Sequence, residues 1–391
     1  MSDLATTPPP GWHVDPDTGA WMRDTIHHMG RRCRNWDYCG LGTYLITLVL
    51  NDRSRPLLGR LADDRPEILL TELGRAVEAH FRRIPDFSPE IVVLGVQVMP
   101  EHLHGVVRVA HRLDKPLGEH LRGFKIGATK IARGLGVCSG IDAGARAGVR
   151  IRGNGLFADG FVDTILFDEK AVAQGVAYMN DNPRRLFEKR AHPELFRVLR
   201  DFAWRSPTEG LSLHFAAIGN QSLLRAPQLF QVQCSRDYFA YARRRDGSLD
   251  KEAPPARMTP DFVEKAEALL AAAAHGAVLV CPCISHGEKE IARRAFAAGY
   301  KVVTLSNKGF SPLYKPGGKL FDQCAGGNLL MLAPKAWPYQ PGEKRITRMD
   351  ACVLNRVAQL LSGEGAVEID YKGAQLDGVE DAMRKATVAR T

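Results

Sequence analysis

No stretch of the 391 residues stays apolar for the ~20 positions that a membrane-spanning helix needs, which excludes an integral membrane protein of the helical type. The start, Ser2 to Pro10, lacks the basic-then-apolar pattern of a secretory leader, so the expected location is the cytoplasm. The eight cysteines, at positions 33, 39, 138, 234, 281, 283, 324 and 352, include no C-x-x-C pair. That absence removes the commonest zinc and dithiol motifs and predicts reduced, largely buried thiols. Internal repeats are also missing, and low complexity is confined to Pro8-Pro9-Pro10 and the Ala271 to Ala274 tract.

What is present is an ordinary globular balance, 45% hydrophobic and 25% charged, in a length that implies two domains with their own cores. The 53 Lys and Arg against 44 Asp and Glu give a net charge of +9, which favours anionic partners without choosing among them.

Along the chain, Tyr44 to Leu50 reads as a strand, Leu70 to Arg83 as a helix, and Ile91 to Val98 with Gly105 to Val109 as a hairpin about Met99-Pro100-Glu101. Leu117 to Gly134 has the spacing of a basic amphipathic helix. The stretch from Gly134 to Gly155, with seven glycines, has the composition of a loop. Asp168 is placed to cap a helix through Asn182, with Pro183 ending it. From Phe230 onward, short apolar runs at 230–234, 277–281, 301–305 and 328–332 alternate with helical patterns at 260–274, 286–298 and 349–361. Such alternation argues a mostly parallel sheet with helices on both faces.

The segment Met99-Pro100-Glu101-His102-Leu103-His104-Gly105 puts two histidines two residues apart on an extended chain, so both imidazoles leave the same sheet face. On the 168–182 helix, Tyr178 and Asn182 are four apart and share a helical face. Two imidazoles and an amide oxygen suit a metal that polarises a phosphoryl oxygen, while a phenol can attack phosphorus. Taken singly, the histidines also read as ordinary core or surface residues, Tyr178 as a core aromatic and Asn182 as a C-cap.

Residues 31 to about 197 resemble the single-tyrosine HUH transposases, especially the REP-associated branch. The matching pieces come in family order: Arg34-Asn35-Trp36-Asp37-Tyr38 leading into Tyr44-Leu45-Ile46-Thr47, the histidine segment at 99–105, Gly123-Phe124-Lys125, Gly160-Phe161-Val162-Asp163, and Tyr178-Met179-Asn180-Asp181-Asn182-Pro183. The resemblance implies a ferredoxin-like α+β nuclease fold in which His102, His104 and Asn182 hold Mg²⁺ or Mn²⁺ and Tyr178 forms a 5′-phosphotyrosine with a free 3′-OH. Glu101 stands where the family usually has Asn, and Leu156-Phe157-Ala158-Asp159 replaces its usual Trp-Gln or Trp-Glu. The implied partner is hairpin-containing single-stranded DNA, with a homodimer among the assemblies the family allows.

Eight basic residues fall between Lys115 and Arg152: Lys115, Arg122, Lys125, Lys130, Arg133, Arg146, Arg150 and Arg152, against Glu119 and Asp142. They form the best phosphate-binding surface in the sequence, with a solvated helix and linker as the plainer alternative. In the second half, Cys234-Ser235-Arg236 and Cys281-Pro282-Cys283-Ile284-Ser285-His286-Gly287-Glu288 follow strands and have the composition of phosphate-cradling turns, making Ser235, Arg236, Ser285 and Gly287 candidates for a phosphate or nucleotide. Residues 227 to 362 resemble, more weakly, the Rossmann-like domain of the DNA-processing protein A family. The expected organisation is therefore a tail at 1–30, an HUH-like domain at 31–205, a linker at 206–226, a Rossmann-like α/β domain at 227–375 and a tail at 376–391. The expected function is transposase-type cleavage and rejoining of single-stranded DNA; the alternative is an idle DNA-binding regulator whose second domain senses a nucleotide.

Overall fold

The computed structural model describes residues 12–14, 21–23, 36–137, 155–311, 314–340, 345–369, 371 and 376–387, and the chain divides into two compact units, 1–187 and 188–391. Within the expected 1–30 tail, Trp12–Val14 pairs antiparallel with Trp21–Arg23.

The first unit is built on an antiparallel sheet of β1 (Gly42–Val49), β2 (Ile91–Met99), β3 (His102–Val109) and β4 (Val162–Leu166), in the order β2-β3-β1-β4. Helices α1 (Glu72–Arg82) and α2 (Leu117–Gly134) cover one face. Thr71 starts α1 by accepting from the Gly74 amide at 3.0 Å, and the stripe Leu73, Val77 and Phe81 is buried on the sheet. On α2 the buried stripe is Leu117, Leu121, Phe124, Ala128 and Ala132, which leaves its charged residues outward. Helix α3 (Glu169–Asn180) covers the other face through Val172 and Met179, packed with Val106 and Leu166. Asp168 caps it as expected, accepting from the Ala171 amide at 2.6 Å.

Gly105 is required by close approach. A Cβ there would lie 2.3 Å from Phe81 Cζ, so Gly105→Ala is expected to destabilise the protein by about 1–3 kcal/mol, read as a lower urea midpoint at unchanged slope.

Pro183 does not end helical structure. It sits in the first turn of α4 (Asn182–Ala191), where its missing N–H would be unpaired in any case, and Asn182 opens that helix.

In the second unit a six-stranded sheet runs β7-β8-β9-β10-β6-β5, formed by β5 (Leu199–Arg205), β6 (Ser212–Gly219), β7 (Leu229–Gln231), β8 (Val278–Cys281), β9 (Val302–Leu305) and β10 (Leu329–Pro334). The pairings from β7 to β10 are parallel, and those of β6 with β10 and β5 are antiparallel, so the sheet is mixed. The 206–226 linker is thereby corrected: β6 contributes fully buried Leu213, Phe215 and Ala217 to the core. One face carries α5 (Pro260–Ala274) and α6 (His286–Ala297), and the other carries α8 (Arg348–Ser362); α7 (Gly318–Ala325) precedes β10. The 376–391 tail is corrected as well. Residues Leu376–Thr387 form helix α9, which buries Val379 and Met383 and is tied by Glu380 to Arg356 of α8. Three charged pairs of residues along α9 mask this stripe when the sequence is read by composition alone.

Candidate active site

The β2–β3 turn is pinned before any chemistry is considered. Pro100 and Glu101 carbonyls accept from the amides of Leu58 and Leu50 at 3.1 and 2.9 Å, which fixes the start of β3. His102 and His104 then project from one sheet face, and their Nε2 atoms lie 3.1 Å apart. Behind them, Thr47, the register partner of His104 on β1, places its hydroxyl 2.9 Å from His104 Nδ1. Glu101 Oε1 lies 3.3 Å from His102 Nδ1, off the hydrogen-bond direction, and this contact holds the Glu101 carboxyl below the usual range. Both outer ring nitrogens are thus approached from behind while both inner ones face a common point, the orientation that partners of metal-bound imidazoles impose.

His104 is 7% exposed, and its pKa is pushed down to about 3, chiefly by burial and then by the neighbouring His102 charge. It is therefore neutral, with a lone pair available. The unfolded chain has an ordinary value of 6.5, so between 6.5 and about 3 the unfolded state binds the extra proton and stability falls as the pH falls. Urea titrations are expected to show wild type losing about 2 kcal/mol more than His104→Asn between about pH 7 and about pH 5.

Helix α3 brings Tyr178 to this pair. Met179 beside it is buried against the sheet, so Tyr178 falls at the rim, 45% exposed, with its ring 6.3 Å from that of His104 in an edge-to-face contact. Among the described residues the phenol oxygen makes no hydrogen bond. The Asn182 carboxamide donates its nitrogen to the carbonyls of Tyr178 and Met179 at 3.0 and 3.2 Å, which turns its oxygen away from the helix end. The structure thus gathers His102, His104 and Tyr178 directly and ties Asn182 to the Tyr178 backbone, with no hydrogen bond from Asn182 to either imidazole.

Among the described residues, no group of three or more His, Cys, Asp or Glu side chains is placed to hold a metal ion. The donor set that does fit a cation is the imidazole pair. Its 3.1 Å spacing matches two donors each about 2.0–2.1 Å from one ion. A third protein donor would have to be an amide oxygen, as Asn182 offers.

Two residues here carry no motif in the sequence. Thr47 is found only through strand register, and Arg185, 8% exposed, is found only through its position 5.4 Å over the Tyr178 ring. The early motif residues serve the scaffold: Trp36 donates to the Tyr44 hydroxyl at 2.9 Å, and Tyr38 donates to Asp163 at 2.9 Å, joining the segment before β1 to β4.

Comparisons with known proteins enter at this point. No family model matches the chain. It is 25% identical over 168 residues to an uncharacterised protein of Haemophilus influenzae, a match spanning 40% of this chain and 89% of that one. Among solved structures, similarity extends to a REP-associated tyrosine transposase bound to a REP hairpin, at 17% identity and a TM-score of 0.27 over 40% of this chain and 74% of that one. A candidate transposase from Deinococcus radiodurans R1 is similar at 13% identity and a TM-score of 0.22, over 38% of this chain and 95% of that one. Likenesses of this degree carry no argument, and the chemistry rests on the site itself.

Of the expected DNA-contacting residues, Lys115, Arg122, Lys130 and Arg133 are exposed along α2. Lys125 has another task, which corrects its assignment: its ammonium donates to the carbonyls of Ala158 and Gly160, both at 2.9 Å, and so holds the segment before β4 against α2. Arg146, Arg150 and Arg152, with Arg34 and Asn35 of the first motif, lie outside the described residues. A cleft of about 570 Å³ between α2 and residues 155–161 is lined by Arg122, Phe157 and Phe161.

The proposed phosphate turns of the second unit are also corrected. The Glu288 carboxylate already takes the amides of Ile284, Ser285 and Cys234 at 2.6, 3.2 and 3.3 Å. Ser285 caps α6 by accepting from the Glu288 amide, and Ser235 accepts from the Asp237 amide. Gly287 is there for packing, since a Cβ would lie 2.3 Å from Cys234 Sγ. Of the four candidates only Arg236 is exposed. The described cysteines, 39, 234, 281, 283, 324 and 352, are free thiols; burial pushes Cys234 up to about 11 and Cys324 up to about 12. Cys33 and Cys138 lie outside the described residues.

Proposed function

We propose that the first unit is a transposase-type nuclease that cleaves and rejoins hairpin-containing single-stranded DNA through a covalent 5′-phosphotyrosine on Tyr178. The observation that carries this reading is the imidazole pair, Nε2 atoms 3.1 Å apart, with an unbonded tyrosine hydroxyl on a ring packed against His104. The substrate class follows the sequence resemblance and the exposed cations of α2, which supply salt-dependent contacts to phosphates.

Mg²⁺ or Mn²⁺, held by His102, His104 and Asn182, would neutralise charge on a phosphoryl oxygen. Tyr178 supplies the nucleophile. Its oxygen bonds to phosphorus as the bond to the 3′-oxygen breaks; the phenol proton passes to water, and the departing 3′-oxygen takes a proton from water. Attack by another 3′-OH reverses the step, joins two strands and restores the phenol. Burial keeps His104 neutral, and Thr47 and Glu101 hold the two rings in place.

The test incubates the protein with 5′- and 3′-labelled hairpin oligonucleotides from the flanks of its own gene, in Mn²⁺ or in EDTA. Transfer of the 3′-side fragment to protein in Mn²⁺ only, lost in His102→Ala with the fold intact, is the expected result. Full cleavage in EDTA would refute the metal role, and DNA bound but uncut in all conditions would favour the idle regulator.

A further inference from the structure

We infer that Arg185 is the positioning residue of the Tyr178 nucleophile, an assignment that rests on the proposed tyrosine chemistry. Tyr178 is nearly half exposed, and its hydroxyl has no hydrogen bond among the described residues, so neither burial nor a polar partner fixes the direction of its oxygen. What remains are the two contacts of its ring. His104 meets it edge-to-face at 6.3 Å, and the Arg185 guanidinium lies 5.4 Å from its centroid.

The α3–α4 junction explains why this arginine, and not its neighbour, takes that place. The Arg185 amide bonds the Asp181 carbonyl at 3.0 Å, so the helical path continues through the junction, and residues 178 and 185, seven apart, come to the same side. Arg184 turns the other way and grips the Asp181 carboxylate at 2.6 and 2.9 Å. Arg185 itself is 8% exposed. An arginine so buried makes a rigid floor: its planar fork stacks on an aromatic face, which lysine cannot reproduce with a point charge. A nucleophile must be held within a fraction of an ångström of its line of attack, and a floor beneath the ring supplies that restraint while leaving the oxygen open to DNA.

The experiment compares wild type, Arg185→Lys, Arg185→Met and Arg185→Ala in the full chain, each first checked for folding by thermal melting. Adduct formation with a hairpin oligonucleotide in Mn²⁺ is expected to slow about 100-fold in Arg185→Met, with hairpin affinity within about two-fold of wild type. Arg185→Lys should fall between, and added guanidinium ion should restore part of the rate to Arg185→Ala. Independently of activity, the fluorine resonance of fluorotyrosine placed at position 178 should shift and broaden in Arg185→Met. Wild-type adduct rates together with an unchanged resonance in that variant would overturn the inference. If wild type itself forms no adduct, the chemical reading fails, and the resonance alone decides whether Arg185 holds the ring.

Discussion

Tyr178→Phe is expected to lower covalent capture of single-stranded hairpin DNA by at least about 10³-fold while leaving the fold and hairpin binding in place. The substitution removes one oxygen from a rim position where that oxygen has no hydrogen bond among the described residues. Nothing in the core depends on it, because the buried face of α3 is made by Val172, Gly175 and Met179. The ring keeps its contacts with His104 and Arg185, so the stability change should stay within about 0.5 kcal/mol. Denaturing gels with 3′-labelled oligonucleotide measure capture, and gel shifts measure binding. A Phe variant that captures DNA as wild type does would place the nucleophile elsewhere.

Glu288→Ala should cost the second unit about 3–5 kcal/mol, an effect large enough to unfold part of it at ambient temperature. The carboxylate is 2% exposed and draws together amides from the ends of two strands, Cys234 after β7 and Ile284 and Ser285 after β8. Removing it leaves three buried N–H groups unpaired and a cavity beside Cys234. Burial raises the Glu288 pKa while the same three amides oppose that rise, so the site is costly to assemble and costly to break. The same geometry predicts that ATP, GMP or inorganic phosphate will not raise the melting temperature of the wild-type protein, because an internal carboxylate takes the amides an external phosphate would use. A ligand that bound the native state there would raise it by mass action. Such a rise, abolished by Arg236→Ala, would restore the nucleotide reading of this turn.

How much of this is legible in the sequence depends on where the information lies. The hairpin of β2 and β3, the limits of α2 and α5, and the cap at Asp168 all follow from local pattern and match the structure within a residue or two. Tyr178 and the histidines could be grouped from spacing and resemblance, but their contact depends on α3 lying over the face of β3, a tertiary fact. Thr47 is visible only once register is known, and Arg185 only once helical structure is seen to continue past Pro183. The second unit was obscured for two different reasons. Strand β5 is an edge strand whose exposed Arg200, Asp201 and Arg205 read as linker, and α9 hides a buried stripe under charge. Lys125 and Glu288 mislead in opposite senses: a cation expected on DNA is spent on two carbonyls, and an acidic residue overlooked in the turn occupies the place proposed for phosphate.

The central claim is the covalent bond between Tyr178 and DNA, and peptide mass spectrometry after Mn²⁺ incubation with a hairpin oligonucleotide tests it most directly. The account predicts a nuclease-trimmed nucleotide 5′-phosphate attached to the peptide containing Tyr178, absent in EDTA. A nucleotide attached to any other residue, or cleaved DNA with no protein-linked product, would contradict it.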